Sequence, residues 1–99
     1  MHVVALSVDL HLPHVHSLKE KRSVIRPILD GCRHRFGVAA AEVAYQDRWQ
    51  RAGLGFSVVA SSPAHAVEVM DQVERFIWSF PEAEVLSAER YWLEDSHAW

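Results

Sequence analysis

The feature that most constrains the fold is a strict alternation of side chains near the N-terminus. Apolar residues occupy every second position over nine residues: Val4, Leu6, Val8, Leu10 and Leu12. Because successive side chains of a strand point to opposite faces, this pattern predicts a strand over residues 2–12 with one buried face. Pro13 ends it, and the apolar face needs a second layer to cover it.

An amphipathic helix is predicted next. Ser17-Leu18-Lys19-Glu20 has the form of a capping box, in which the Ser17 hydroxyl accepts from the Glu20 amide and the Glu20 carboxylate accepts from the Ser17 amide. Apolar residues at intervals of three and four then predict a helix that stops at Gly37. Pro27 lies inside this helix and predicts a kink, because it has no N–H to donate to the Ser23 carbonyl.

The remaining pattern completes a known motif. Residues 38–46 and 52–61 predict two strands joined by a short loop, Ser62-Pro63 predicts the start of a second helix, and residues 84–93 predict a last strand whose faces the pattern leaves unassigned. The order β-α-β-β-α-β is the ferredoxin-like split motif. We therefore expect an α+β fold with a four-stranded antiparallel sheet and two helices on one face, forming one domain over 1–93 with a tail over 94–99.

Composition excludes several protein classes. The chain of 99 residues is 49% hydrophobic and 23% charged, which is typical of one globular domain. No apolar run approaches the roughly 18 residues of a membrane span, and the N-terminus lacks the basic region of a signal peptide. The single cysteine, Cys32, allows no internal disulfide and falls on the apolar face of the first helix. These features favour a cytoplasmic protein without membrane contact.

Several segments, in order, resemble the YlxP-like family of small bacterial proteins, long filed as a domain of unknown function. The segments are Asp9-Leu10-His11-Leu12-Pro13, the run from His16 to Arg22, Ala41-Glu42-Val43, the run from Gln46 to Ala52, and Ala88-Glu89-Arg90 with Leu93. The resemblance covers roughly residues 3–93. It implies a ferredoxin-like fold and a gene neighbourhood among translation-initiation and ribosome-maturation factors in many bacteria, and it implies no established activity.

Basic residues concentrate in the first half of the chain. Residues 1–51 hold eight Lys and Arg against five acids, a net charge of +3, whereas residues 52–99 have a net charge of −6. In the first helix, Lys19, Lys21, Arg22 and Arg26 are candidates for contacts with phosphates, and the last three are spaced to share a solvent-exposed face. The alternative interpretation is an ordinary solvated helix surface.

The loop between the two central strands is the second candidate binding element. Asp47, Arg48, Trp49 and Arg51 crowd it, and Arg and Trp are residue types that anchor interfaces. The structural alternative is that Asp47 pairs with Arg48 or Arg51 while Trp49 covers the edge of the core.

The face of the sheet opposite the helices is expected to carry small residues. Its candidates for a dimer contact are Ala5, Ser7, Gly53, Gly55 and Ser57. Glycines in a strand often mark the close approach of another backbone, so a second copy could pack here; the alternative is a tolerated wet face. On the first and third strands this face offers no aromatic platform of the kind that RNA-recognition motifs use.

Metal and catalytic chemistry find little support. His11, His14 and His16 lie close in sequence, but neither a cysteine nor a helical i, i+4 pair accompanies them, and their convergence on a metal stays open. Asp9 and His11 are the only pair suited to acid–base work. The sequence therefore predicts a non-enzymatic protein without a cofactor or a metal.

The leading hypothesis is a binding protein associated with ribosome maturation or translation. Its partner would be ribosomal RNA or a ribosomal subunit, contacted through the first helix and the loop over 46–51. Two alternatives remain: a homodimeric interaction module without nucleic-acid binding, and a regulatory domain that binds a small ligand or a metal.

Overall fold

The structure, a computed structural model, describes residues 1–94. Its six elements follow in the order β1 (His2–His11), α1 (Leu18–Phe36), β2 (Ala39–Ala44), β3 (Arg51–Ala60), α2 (Pro63–Trp78) and β4 (Glu84–Glu94). The four strands form one antiparallel sheet in the order β2-β3-β1-β4. The predicted ferredoxin-like fold is thereby confirmed. Strand β4 extends to Glu94, and residues 95–99, the rest of the predicted tail, lie outside the described residues.

The core lies between the helices and one face of the sheet. The alternating residues Val4, Leu6, Val8 and Leu10 of β1 are all buried, as the period of two predicts. On β3, the buried set is Ala52, Leu54, Phe56, Val58 and Ala60. The helices cover this face with Ile25, Ile28, Leu29 and Cys32 from α1 and with Ala66, Val69, Met70, Val73 and Ile77 from α2. None of the helices within residues 1–94 is long and apolar enough to cross a membrane.

The ends of α1 differ in one detail from the predicted capping box. Ser17 Oγ accepts from the Glu20 amide at 3.1 Å, as predicted, but the Glu20 carboxylate accepts from the amide of His16 at 3.0 Å rather than from that of Ser17. The helix continues through Pro27 and ends at Gly37, whose φ of 66° is left-handed and whose amide donates to the Arg33 carbonyl. Glycine suits this position because other side chains are strained at positive φ.

A register shift in β2 explains the glycines of β3. The pairing between β2 and β3 slips between Glu42 and Ala44. A Cβ on Gly53 would lie 2.7 Å from the Ala44 Cβ, and a Cβ on Gly55 would lie 3.1 Å from a Val43 methyl group. The missing side chains thus make room for the neighbouring strand of the same chain. Contacts within the chain thus explain these two glycines, and the dimer contact that they suggested stays a prediction.

Candidate functional site

Lys21 is the exception among the basic residues of α1. Its side chain is turned inward, so that the residue is only 1% exposed, and the prediction that it shares a solvent-exposed face with Arg22 and Arg26 is wrong. Its Nζ donates to the carbonyls of Tyr45 and Arg48, each at 2.7 Å. Nζ also lies 2.7 Å from Glu42 Oε2 as an ion pair, although the alignment is not that of a hydrogen bond. A buried ammonium needs such partners because its desolvation is costly.

The other candidate cations of α1 form a separate, exposed row. Lys19, Arg22 and Arg26 lie within about 60° of one another around the helix axis and about 100–160° from Lys21, since each residue advances about 100°. All three line one open groove of about 450 Å³. Within residues 1–94 none of the three forms an ion pair. We call Lys19, Arg22 and Arg26 the basic row.

A smaller groove continues the basic row toward the edge strand β2. Its volume is about 250 Å³, and it adds Arg33 and the apolar side chains of Ile25 and Leu29 to the two arginines of the row. Arg33 is already engaged, because it donates to Asp30 Oδ1 at 2.9 Å and to the Ala40 carbonyl. The cations available to a partner here are therefore Arg22 and Arg26.

The loop between β2 and β3 is held against the start of α1. The Arg48 amide donates to the Tyr45 carbonyl and closes a turn, in which Tyr45 has a φ of 61°. The Nζ of Lys21 on α1 donates to the carbonyls of both of these residues. The Leu12 amide donates to the Gln50 carbonyl at 2.9 Å. Gln50 Nε2 in turn donates to the Val15 carbonyl at 3.1 Å. The loop is consequently fixed at both of its ends.

The candidate residues of this loop are placed differently from one another. Trp49 is 53% exposed, so it does not close over the core edge. The Arg48 guanidinium lies 5.5 Å from the centre of the Tyr45 ring, within cation–π range. Within residues 1–94, Asp47 has no ion pair, and the alternatives that paired it with Arg48 or Arg51 are wrong. Trp49 and Arg48 therefore remain exposed for a partner.

Arg51 forms a closed contact instead. Its Nε and Nη2 donate to the two carboxylate oxygens of Asp9 at 2.7 and 2.5 Å, and its guanidinium lies 4.7 Å from the centre of the Tyr45 ring. The hydrogen bonds from Arg51 hold the pKa of Asp9 below its ordinary value, although partial burial acts in the opposite direction. Through Nε and Nη2, Arg51 anchors this end of the loop to Asp9.

The three clustered histidines do not come together. His11 Nδ1 lies 3.1 Å from Glu84 Oε2, on the neighbouring strand β4, whereas His14 and His16 are exposed in the connection to α1. Across the described part of the chain, no group of three His, Cys, Asp or Glu side chains has the geometry of a metal site.

Strand β4 adds to the open face of the sheet an aromatic side chain that the sequence left unassigned. Tyr91 of β4 lies directly opposite Ala5 and is 55% exposed, and its hydroxyl donates to Glu89 at 2.7 Å. With Ala5, Ser7, Gly55 and Ser57 it lines a shallow depression of about 370 Å³. A single tyrosine does not make the paired aromatic platform of RNA-recognition motifs.

Comparison with known proteins gives the family. The model of the family described as "Protein of unknown function (DUF503)" matches residues 3–90. The chain belongs to this family. The uncharacterized protein YlxP of Bacillus subtilis (strain 168) is 41% identical over 76 residues, which cover 77% of this chain and 83% of YlxP. The predicted YlxP-like resemblance is confirmed.

The fold of this DUF503 domain also resembles a solved structure. A de novo designed protein with a ferredoxin fold, determined by solution NMR, matches with a TM-score of 0.55 at 12% identity. The match covers 100% of this chain and 92% of the designed protein. At that identity the likeness concerns the fold alone, so any function must be argued from the surface.

Sequence reasoning about this DUF503 domain missed two residues of the site. Tyr45 stacks against two arginines, and Glu42 faces the buried ammonium of Lys21. A signal for the second was present, because Lys21 falls on the apolar stripe of α1, four residues before Ile25 and seven before Ile28. A buried lysine on that stripe requires a counter-ion or acceptors on the facing elements, and Glu42 is the acid of β2.

Proposed function

We propose that this protein is a non-enzymatic, cytoplasmic binding protein that contacts the phosphate backbone of RNA through the basic row and the loop over 46–51. The observation that carries the proposal is the set of three exposed cations, Lys19, Arg22 and Arg26, that share one groove without an ion pair in the described chain. Cations left unpaired on one helix face favour a polyanionic partner, because each phosphate contact releases condensed counterions.

The loop supports the same proposal. Lys21 ties the carbonyls of Tyr45 and Arg48 to the helix that carries the basic row, so loop and helix form one surface. Trp49 then adds an exposed ring on which an unpaired base can stack, a contact worth about 1–3 kcal/mol per base. The ribosomal setting rests on the gene neighbourhood that the YlxP-like resemblance implies.

The test compares two double variants with equal loss of charge. Arg22→Gln/Arg26→Gln removes the two arginines of the basic row, and Arg35→Gln/Arg75→Gln removes two that line a groove of about 360 Å³ elsewhere on the helices. Cosedimentation with ribosomal subunits and filter binding to purified ribosomal RNA are measured over a range of salt concentrations. We expect the first variant to bind more weakly and to lower the magnitude of the salt slope by about 1.4–1.8 relative to the native protein.

The control variant is expected to keep the native slope, because Arg35 and Arg75 line a different groove from the basic row. Equal losses in the two variants would mean that net charge alone governs binding, and would refute the assignment of the basic row. Native protein that binds neither RNA nor subunits at low salt would refute the proposed function as a whole.

A further inference from the structure

Strand β4 forms an edge of the sheet with a long regular stretch. Within residues 1–94, β4 pairs with β1 alone. The pairing shifts register between Asp9 and Leu10 and is then continuous from Ser87 to Glu94. On an edge strand, every second residue directs its backbone N–H and C=O away from the sheet, where they can pair with another strand.

The opposite edge of the sheet, strand β2, is protected against pairing with another strand, whereas β4 is not. Strand β2 has only six residues and contains the register shift near Val43. In addition, the Arg33 guanidinium donates a hydrogen bond to the carbonyl of Ala40. A short length and a bulge are devices that prevent pairing at an edge, and a bound carbonyl is no longer available to another strand. The eight-residue stretch of β4 carries no register shift.

Apolar side chains lie exposed on both faces of this unprotected stretch. Leu93 is 64% exposed on the open face beside Tyr91, and Trp92, opposite the core residue Val4, is 43% exposed on the helix side. A partner strand laid along β4 would cover side chains on both faces at once. A partner that only packed onto the open face would leave Trp92 in water.

We propose that β4 pairs antiparallel with β4 of a second copy of this chain, so that two four-stranded sheets join into one of eight strands. A two-fold axis makes such a contact self-complementary. Directly opposed residues of the two copies have their side chains on the same face of the sheet. Because faces alternate along a strand, the two residue numbers are both odd or both even, and their sum is even. The two-fold axis therefore passes between the two copies of one residue. An axis at Glu89 or Arg90 would oppose like charges, which is destabilising.

An axis at Tyr91 fits the side chains. It places the two tyrosines together and sets Arg90, held by Asp71 and Glu74 at 2.7 and 2.5 Å, opposite the partner's Trp92, in cation–π range. It also sets Leu93 opposite the partner's Glu89 and pairs seven residues, 88–94, of each copy. A partner of different sequence would meet none of these restrictions, and this self-complementarity favours a second copy as the occupant.

Disulfide trapping tests the register. Opposed residues of antiparallel strands have Cα atoms about 4.5–5.5 Å apart, which suits a disulfide. Tyr91→Cys should therefore form a covalent dimer under mild oxidation, while Ser57→Cys, on the inner strand β3, should not. The native Cys32 is fully buried, and desolvation raises the pKa of its thiol to about 11, which keeps it out of the reaction.

Each outcome of the disulfide trapping either supports or overturns the contact between two β4 strands. A dimer with Tyr91→Cys and none with Ser57→Cys supports the proposal. A dimer with Ser57→Cys and none with Tyr91→Cys overturns it in favour of contact through the open face. Equal yields indicate random collision, and no dimer in either indicates a monomer; both results overturn it as well.

A pair of charge variants tests the opposition of residues 93 and 89 in reversible association. By sedimentation velocity, Leu93→Glu should dissociate about 2- to 30-fold more readily than the native protein, because two like-charge contacts form per dimer. Leu93→Lys should associate at least as well as the native protein, since each lysine faces a glutamate. Loss of association in both variants, with unchanged circular dichroism, would overturn the register.

Discussion

The buried ammonium of Lys21 supplies the sharpest test of how this domain is held together. Substitution by methionine keeps the aliphatic stem and removes the charge together with its three donors. The Arg48 carbonyl loses its hydrogen bond, whereas the Tyr45 carbonyl keeps the one from the Arg48 amide. The Glu42 carboxylate, 21% exposed, loses its counter-ion but keeps some water.

The loss in free energy of unfolding for Lys21→Met can be derived from these contacts. Removing one partner of a buried ion pair costs about 3–5 kcal/mol, and the partial hydration of Glu42 places this site at the lower end. We therefore expect Lys21→Met to lower the free energy of unfolding by about 3 kcal/mol, within the range set by one orphaned ion and one orphaned carbonyl. For a domain of this size that lowers Tm by about 12–24 °C.

Urea and thermal unfolding followed by circular dichroism measure the effect. Lys19→Met, on the exposed side of the same helix, is the control and should change stability by no more than about 0.5 kcal/mol. The double variant Lys21→Met/Glu42→Gln should be less destabilised than the two single losses added together, because the unpaired charge is gone. A Lys21→Met variant that matches Lys19→Met would refute the reasoning.

Two further predictions concern packing and acid stability. Gly31→Ala should lower the free energy of unfolding in urea by up to about 2 kcal/mol, because its Cβ would lie 2.5 Å from Phe76 Cζ. In a Phe76→Leu background the same substitution should instead stabilise the protein, because alanine gains about 1 kcal/mol of helix propensity over glycine. The pKa of Asp9 is lower in the folded chain than in the unfolded one, so its contact with Arg51 stabilises above about pH 4 and is lost as the pH falls further. The stability difference between native protein and Asp9→Asn should accordingly shrink between pH 5 and about pH 2; a constant difference would contradict it.

The fold could be predicted because its signals are local. Alternation along β1 and β3 depends on a period of two, and the helix starts at Ser17 and Ser62 depend on hydroxyls that accept from amides three residues ahead, at 3.1 and 3.2 Å. Neither needs a distant partner.

The site was predicted less well because its contacts join distant segments. Arg51 pairs with Asp9 across 42 residues and Lys21 reaches Arg48 across 27 residues, so spacing along the chain could not reveal either. The faces of β4 were unassigned because the strand shifts register against β1 between Val85 and Ser87. The role of Gly53 and Gly55 within the chain was missed for a related reason, since the slip of β2 that fills their space has no local signature.

The burial of Lys21 changes how the proposed RNA contact should respond to mutation. Because this ammonium holds the loop that carries Trp49 to the helix that carries the basic row, it orders both parts before binding, which lowers the entropic cost of association. Lys21→Met, studied at a temperature where it stays folded, should therefore bind RNA more weakly while the salt slope keeps its native value. An exposed lysine that touched a phosphate would instead reduce the magnitude of that slope by about 0.7–0.9. A reduced slope for Lys21→Met would thus show that the ammonium leaves the core to meet the RNA, and would contradict its role as a fixed anchor between helix and loop.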